Sequence, residues 1–439
     1  MQRRRFLELA GMAAASRTLA YAHVSSAPME KLAFPGGDPS WRAAWIEALA
    51  VLDANITTLP KYDRPVLIEG AVYAGVWQEC GPQEGLVYAS LGWGSNASSA
   101  NGPLSTPMQV AIDNHMTFFA LQREDGQLPA NVKRSEVGFG QIQMVVPIAA
   151  TAWEVAQLSR NEELLTTAYA ACSRWDRWLR RYRNTRGTGL VEGFCTYDTG
   201  QDNSPRWAGI PNQCPNADAR ICPPLASLPR LCPDLSATVY GGRVALASMA
   251  RALGKPAEAA RWEEDAETIR RLILERLYSP EEAAFFDLDA QNRFVRVRGI
   301  AITRVLGEHV LKLDVPSDHR IFDDVWRGQL HNTDAFWAPY PFPSIALNDP
   351  YFVRPIPRNS WGGAAQALTA LRAPRWMAHY GKQAELEHMM RQWVEAIVAS
   401  RGFRQQMDPV SGVFTMADPS GYSPAALVYL DFVRRLAGT

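Results

Sequence analysis

The segment ATVYGGRVALASMARALGKPAEAARWEEDAETIRRLILERL, residues 237–277, indicates how this chain folds. Apolar residues recur at spacings of three and four on both sides of its centre, which is the pattern of an amphipathic helix. Gly254 and Pro256 interrupt this pattern, because glycine commonly ends a helix and proline commonly starts one. The segment therefore predicts a helical hairpin, two helices joined by a tight turn.

The same helical period recurs through most of the chain. Further amphipathic segments begin at Trp41, Met108, Gln141, Glu162, Ala364, Glu385 and Pro424. Alternating strand patterns are few and short, as in FFDLD near Phe285 and RFVRVR near Arg293. Long loops rich in proline and glycine run over about 69–103 and 187–235, and loops of that length in a compact chain are usually functional. We predict an all-α fold, a closed ring of helical hairpins with long active-site loops and a few short strands; the alternative is two stacked all-α domains.

Composition excludes several classes of protein. The 439 residues carry 45 basic and 45 acidic side chains, and 47% of the residues are hydrophobic. Zero net charge argues against a nucleic-acid partner, which requires a basic excess, and against an electrostatic membrane anchor. No apolar run approaches the roughly 18 residues of a transmembrane helix. The motifs of zinc, nucleotide and dinucleotide sites are also missing from the sequence, so we predict neither a metal nor a cofactor.

The N-terminus predicts export. Arg3, Arg4 and Arg5 precede a short apolar stretch that ends in Ala20-Tyr21-Ala22, a plausible cleavage site. This arrangement resembles a twin-arginine signal, whereas the alternative is a disordered basic tail. Residues 1–22 are therefore interpreted as a signal and residues 23–439 as one domain, periplasmic or secreted.

Cysteines cluster in one proline-rich segment that has no amphipathic period. Cys195, Cys214, Cys222 and Cys232 account for four of the six cysteines. An oxidising compartment permits disulfides, so we predict two among these four, with the pairing open. The spacing lacks a paired C-x₂-C and a histidine, which makes a zinc site the poorer interpretation.

The stretch GFCTYDTGQDNSPRW, residues 193–207, contains candidate catalytic residues. It resembles the ESG-x-D-[ND]-S-P-R-[WY] motif of the trehalase and processing α-glucosidase group, glycoside hydrolase families 37 and 63, which includes mannosylglycerate hydrolases. The resemblance implies that Asp202 is the general acid and that Arg206 contacts the substrate. The ESG of the family is replaced here by Asp198-Thr199-Gly200.

Four other stretches are similar to motifs of the same group. They are DGQLPANV from Asp125, PYPFPSIALNDP from Pro339, RNSWGG from Arg358, which includes Trp361, and DPVSG from Asp408 followed by SGYSPAAL from Ser420. The similarity extends from about residue 69 to the C-terminus. It implies an (α/α)₆ toroid and hydrolysis of a small or terminal α-linked glycoside, with inversion.

One position departs from the family. Gln405 stands where the resemblance places the general base, and a glutamine cannot take a proton from water. Glu79 or Glu84, in VWQECGPQEG, could supply the missing carboxylate, and their spacing also resembles an α-L-rhamnosidase motif in which the last glutamate is the acid. Asp334 or Asp408 could act from a shifted loop, or phosphate could replace the base. We favour Asp202 as the acid with Glu84 or Glu79 as its partner.

Aromatic and polar side chains in the loops suit a carbohydrate. Flat aromatic faces bind the C–H faces of sugars, and carboxylates, amides and arginines bind the hydroxyls. The loop tryptophans are Trp77, Trp93, Trp207, Trp337 and Trp361. The predicted polar contacts with substrate are Gln78, Asp125, Asp198, Arg206, His331, Asp334 and Gln405. Besides a rhamnosidase-like enzyme that uses Glu84, the remaining alternatives are a non-catalytic carbohydrate-binding toroid and a polysaccharide lyase.

Overall fold

The structure is a computed structural model that describes residues 32–91 and 106–438. The predicted signal over residues 1–22 and Trp93 lie outside these ranges. The described residues form twelve α-helices: α1 (Arg42–Asn55), α2 (Gly81–Ala89), α3 (Thr106–Ala120), α4 (Ile148–Ser159), α5 (Glu162–Tyr182), α6 (Pro233–Ala252), α7 (Pro256–Arg276), α8 (Ala301–Gly307), α9 (Pro316–Val325), α10 (Ala367–Met377), α11 (Gln383–Ser400) and α12 (Ser423–Ala437). None of them is long and apolar enough to cross a membrane.

Alternate helices form a closed inner ring. Each of α2, α4, α6, α8, α10 and α12 contacts the next, and α12 contacts α2, which closes the ring. Helices α3, α5, α7 and α11 pack outside it against inner helices next to them in the chain, and α1 packs against α12. The ring closes through hydrogen bonds as well, because the Ser423 hydroxyl donates to the carbonyl of Ile68 at 2.8 Å. The predicted all-α toroid of hairpins is confirmed, and residues from Phe34 onward form one compact unit.

Local chemistry explains where the helices begin and end. The side chain of Asn161 caps α5 by accepting a hydrogen bond from the backbone N–H of Leu164 at 2.8 Å. Gly254 has a φ of 71°, which glycine adopts without strain, and Pro256 is the first residue of α7. The hairpin predicted over residues 237–277 is therefore confirmed, with α6 starting four residues earlier than its apolar pattern indicated.

Two predictions from the apolar pattern need correction. The helix expected from Gln141 begins at Ile148, because residues 141–147 form a buried loop that is apolar for packing rather than for helix formation. The long loop predicted over residues 69–103 contains helix α2, which is buried over most of its length and so lacks the polar face that marks an amphipathic helix.

Thirteen short strands in the described residues hold the loops between helices. They are β1 (Ile56–Leu59), β2 (Tyr62–Leu67), β3 (Gly75–Trp77), β4 (Asn131–Lys133), β5 (Val137–Gly138), β6 (Glu192–Gly193), β7 (Arg230–Leu231), β8 (Tyr278–Ser279), β9 (Ala284–Phe285), β10 (Asp287–Leu288), β11 (Phe294–Val295), β12 (Ala365–Gln366) and β13 (Gln406–Met407). Their sheets are β1-β2, β3-β4-β5, β11-β10-β7-β6, β8-β9 and β12-β13, all antiparallel. The strand patterns near Phe285 and Arg293 correspond to β9, β10 and β11.

All six cysteines lie in the described residues, and all are free thiols, so the two predicted disulfides are not formed in this structure. Cys195 and Cys214 pack together with Phe194, and Cys222 lies against them. The Cys232 sulfur instead lies against the backbone of Gly193, on the strand that pairs with β7. Only three of the four cysteines therefore share one cluster, which a proline-rich segment without periodicity could not reveal.

Candidate active site

A cavity of about 200 Å³ opens at the end of the ring where inner helices begin. Its wall comes from the segments that precede α2, α4, α6, α10 and α12, together with the first turn of α10. The lining residues are Glu69, Tyr73, Trp77, Glu79, Asn131, Lys133, Gln141, Gln143, Tyr197, Gly200, Asp202, Gln213, Asn359, Trp361, Leu368 and Gln405. Five of the predicted site residues are thus brought together: Trp77, Glu79, Asp202, Trp361 and Gln405.

Glu79 reaches the cavity between β3 and α2. Its carboxyl group lies directly against Gly200, where a Cβ atom would be 1.5 Å from Glu79 Oε2. Gly200 also has a φ of 60°, in the left-handed region that favours glycine. The glycine of the D-T-G sequence is therefore required here for space, because it allows the carboxyl group to lie against the backbone, two residues before Asp202.

Asp202 is fixed by the loop that precedes α10. The side chain of Asn359 donates to Asp202 Oδ2 at 3.0 Å, and the backbone N–H of Trp361 donates to the Asp202 carbonyl at 3.2 Å. The amide of Asn203 donates to the carbonyl of Asn359 at 2.9 Å. Three hydrogen bonds between two distant segments of the chain thus orient the Asp202 carboxyl group, whose Oδ1 accepts no hydrogen bond from the described residues.

Burial raises the pKa of both carboxyl groups. The pKa of Glu79 rises to about 7, first because the group is buried and then because of the negative charge on Asp202, while Arg372 and Arg304 oppose the shift. Burial also raises the pKa of Asp202, and the hydrogen bond from Asn359 acts in the opposite direction. The negative charge of Asp202 therefore favours the protonated form of Glu79, so the two carboxyl groups do not ionise independently.

Glu69 is a third carboxyl group in the wall, and the sequence analysis missed it. It accepts a hydrogen bond from the Tyr422 hydroxyl at 2.6 Å. Burial, followed by the charges of Glu84 and Glu79, raises its pKa well above the usual value. Burial and the neighbouring carboxylates therefore favour the protonated form of Glu69 in the wall of the cavity. The charge of Asp202 raises the pKa of both glutamates, and Glu79 lies directly against Gly200, two residues before Asp202, which makes it our candidate partner of Asp202.

The second glutamate of VWQECGPQEG is not in the wall. Glu84 lies fully buried inside α2, and neither carboxyl oxygen has a nitrogen or oxygen donor within hydrogen-bond distance among the described residues. Burial raises its pKa to about 7, against the opposing effects of the Cys80 thiol and Arg372. The prediction that Glu84 is catalytic is not supported by this position, because the side chain is completely buried and does not line the cavity.

Asp198 has a structural role rather than the predicted contact with substrate. Its carboxylate pairs with Arg183, and both side chains are completely buried. It also accepts hydrogen bonds from the backbone N–H groups of Ile142, at 2.9 Å, and Phe194, at 2.7 Å. The first aspartate of the motif therefore fixes the loop that presents Asp202.

Arg206 and Trp207 also support the loop from behind. The guanidinium donates at 2.5–2.8 Å to Asp234, Asp287 and Gln201, and these contacts use all five N–H donors of arginine. Trp207 is 2% exposed, and its indole N–H donates to the Thr199 hydroxyl at 2.9 Å. The predicted substrate contacts at both positions are not supported by these positions, because neither side chain lines the cavity.

Four other predicted contacts lie elsewhere. Gln78 donates to the carbonyl of Pro129 at 2.8 Å, and Asp125 accepts from the indole of Trp178 at 3.2 Å. His331 stacks on Trp326 with ring centres 5.2 Å apart, in an aromatic cluster that also contains Trp337. Asp334 is exposed in the loop that follows. Asp408, a candidate for the shifted base, pairs with Arg354 outside the cavity at 3.0 Å.

Two clusters in the described residues place thiol and carboxylate atoms within 4.8 Å of one another, Cys195–Asp198–Cys214 and Cys232–Asp234–Asp287. In both clusters the carboxylates already pair with a buried arginine, Arg183 or Arg206. A metal ion would have to compete with that guanidinium charge, so neither cluster fits one.

Comparison with known families finds one family model that covers most of the chain. Residues 99–423, about three quarters of the chain, match the mannosylglycerate hydrolase MGH1-like glycoside hydrolase domain. The chain belongs to this glycoside hydrolase family. It is therefore a glycosidase with a carbohydrate substrate, and the resemblance inferred from the motif at Asp202 is confirmed. A search of curated protein sequences finds no significant match.

Solved structures show the same fold at low sequence identity. A GH63 mannosylglycerate hydrolase from Thermus thermophilus, in complex with Tris, superposes with a TM-score of 0.65 at 17% identity, over 88% of this chain and 99% of that one. The neutral trehalase of Saccharomyces cerevisiae gives 0.61 at 13% identity, over 89% and 81%. A rhamnosidase from Klebsiella oxytoca gives 0.55 at 11% identity, over 91% and 64%.

Proposed function

We propose that this glycosidase hydrolyses a small or terminal α-linked glycoside with inversion, using Asp202 as the general acid and Glu79 as the general base. The observation that carries the proposal is that both carboxyl groups line one cavity and that the charge of Asp202 raises the pKa of Glu79. Inversion requires a protonated carboxyl beside the leaving oxygen and an ionised one that activates water on the other face of the sugar.

The proton transfers of one turnover balance with Asp202 as the acid and Glu79 as the base. In the working form the pair holds one proton, which Asp202 donates to the leaving oxygen while Glu79 takes a proton from water. When Asp202 is protonated, its charge no longer raises the pKa of Glu79, so that Glu79 ionises as Asp202 takes up the proton. The pair therefore ends each turnover again with one proton, on Glu79, and transfer back to Asp202 restores the working form.

The size of the cavity favours an exo-acting enzyme on a small substrate. Its volume of about 200 Å³ is below the range of roughly 300–1,000 Å³ typical of drug-sized ligands. Trp77 and Trp361 supply aromatic faces, and amides that bind hydroxyls come from Asn131, Gln141, Gln143 and Gln213. Such a wall suits one neutral sugar ring whose leaving group points toward solvent.

We also propose that the enzyme is exported from the cytoplasm. The arginines and the Ala20-Tyr21-Ala22 sequence support a twin-arginine signal and a periplasmic or secreted enzyme. In such a compartment, a disulfide donor would oxidise the adjacent Cys195 and Cys214 thiols, each of which loses a proton and one electron as the S–S bond forms. Intact mass after alkylation of the exported protein would then show four free thiols out of six, whereas six would contradict this disulfide.

The test of the activity is a screen of aryl glycosides and disaccharides, with the anomer of the released sugar followed by proton NMR. Release of the inverted anomer by the wild type, and loss of turnover in Asp202→Asn and Glu79→Gln with unchanged melting behaviour, would support the proposal. Retention of configuration, binding without turnover, or an unsaturated uronate product would contradict it; the last two outcomes indicate a binding module and a lyase.

A further inference from the structure

Gln405, which stands where the motif resemblance places the general base, is held by a specific set of hydrogen bonds. The Tyr73 hydroxyl donates to Gln405 Oε1 at 3.0 Å. Gln405 Nε2 donates to Asn359 Oδ1 at 3.0 Å, and Asn359 Nδ2 donates to Asp202 Oδ2 at 3.0 Å. Four side chains thus form one continuous relay that ends on the proposed acid.

The direction of this relay is fixed from both ends. A carboxylate oxygen accepts hydrogen bonds, so Asn359 must present its NH₂ group to Asp202 and its carbonyl oxygen to Gln405. Gln405 must then present its own NH₂ group to Asn359 and its carbonyl oxygen to Tyr73. At the far end, Tyr73 remains a donor, because burial and the charge of Glu69 raise the pKa of its hydroxyl far above the usual value.

We infer that Gln405 is a positioning residue, which acts through Asn359 to keep the catalytic proton on Asp202 Oδ1. Oδ2 accepts the N–H of Asn359, and a proton on Oδ2 would weaken it as the acceptor of this hydrogen bond, which favours the proton on Oδ1. Oδ1 accepts no hydrogen bond from the described residues, and a proton there is free to move to the leaving oxygen of a bound glycoside. The inference rests on the proposed function, since it assigns the oxygen from which Asp202 acts.

The relay also explains the glutamine at position 405, where the motif resemblance places a glutamate. A carboxylate there would place an acceptor oxygen against Asn359 Oδ1, and two acceptors repel. Asn359 would turn over to donate to the new carboxylate, and its carbonyl oxygen would then face Asp202 Oδ2. That contact is satisfied only when Oδ2 carries the proton, which would then point at Asn359 instead of the substrate.

Gln405→Glu is therefore the deciding variant. If position 405 is the natural place of the base, restoring a carboxylate raises kcat. The inference predicts instead that kcat falls by roughly a hundredfold, the loss expected when a reacting group is misplaced by about 1 Å. The matched control is Gln383→Glu, the same change at the exposed first residue of α11, which leaves kcat and KM unchanged.

A cycle of alanine variants distinguishes the relay from general support of the fold. Asn359→Ala and Gln405→Ala each lower kcat, and the double variant is no worse than Asn359→Ala, because both changes break one relay. Asn359→Ala also moves the kcat/KM profile to higher pH, because the lost hydrogen bond lowered the pKa of Asp202. Additive losses with an unmoved pH profile, or a rise of kcat in Gln405→Glu, would overturn the inference.

Different results would refute the proposed function and the positioning role of Gln405. If Asp202→Asn retains turnover, Asp202 is not the acid, and the mechanism proposed above is wrong whatever Gln405 does. If Asp202→Asn is inactive while Gln405→Glu, Gln405→Ala and Asn359→Ala all match the wild type, the acid stands and the positioning role of Gln405 is refuted.

Discussion

Gly200→Ala tests the contact on which the carboxyl pair depends. The new Cβ would lie 1.5 Å from Glu79 Oε2, whereas carbon and oxygen atoms approach to about 3.3–3.6 Å, so the Glu79 carboxyl has to move by roughly 2 Å. A misplacement of about 1 Å costs roughly a hundredfold in rate, and the expected fall in kcat is therefore at least that large. The strained φ adds about 1–3 kcal/mol of destabilisation.

Gly209→Ala is the matched control. Gly209 has a φ of 76°, and a Cβ there would contact nothing within 4 Å. Both variants carry the same kind of backbone strain, and only Gly200→Ala disturbs Glu79. The assay is kcat on the glycoside found by the screen, together with thermal unfolding of both variants. Equal activity in the two variants would refute the claim that Gly200 positions a catalytic carboxyl group.

Three more outcomes are expected from the buried charges. Turnover requires one proton on the pair, and this proton rests on Glu79 between turnovers and is lost near pH 7, so kcat/KM falls as pH rises through about 7; a rate that keeps increasing to about pH 9 would contradict the pairing. Glu84→Gln keeps activity within about fivefold, and loss of turnover would place Glu84 in the mechanism. Because the pKa of Glu84 is raised in the folded state, ionising this group costs stability as pH rises from 4.5 to about 7. The variant therefore melts at a higher temperature than the wild type near pH 8 but not near pH 4. Asp198→Asn leaves the charge of Arg183 buried and unpaired, which lowers the free energy of unfolding by about 3–5 kcal/mol. Urea titrations measure this loss, and an unchanged midpoint of urea unfolding would show that the ion pair is not structural.

Most helices could be predicted because their two faces differ in polarity. Helices α5, α7 and α11 have one face against the ring and one in solvent, which leaves a clear period in the sequence. Helix α2 has no polar face, since α3, α4 and α12 pack around it, and the seven residues of α8 are all buried. Burial on every side removes the signal that marks a helix, and these elements were missed for that reason.

The site was predictable where motif residues face the cavity, as at Asp202 and Trp361. It was not predictable where a polar residue of the same motif faces the interior. Asp198 and Arg206 look like ligand-binding groups in the sequence, and only the structure shows that Arg183, Asp234 and Asp287 already occupy their hydrogen bonds. Glu69 gave no signal, because a lone glutamate at the end of a strand resembles any surface charge.

The central claim is that Asp202 donates a proton to the leaving oxygen. The most direct test is how the rate lost in Asp202→Asn depends on the leaving group. The measurement compares wild type and Asp202→Asn on two glycosides of the same sugar, one with an alkyl and one with a dinitrophenyl leaving group. The account predicts a loss of about 10²–10⁴-fold on the alkyl glycoside and little loss on the dinitrophenyl glycoside, whose leaving group departs without a proton. Equal losses on both substrates, or full activity on the alkyl glycoside, would contradict it.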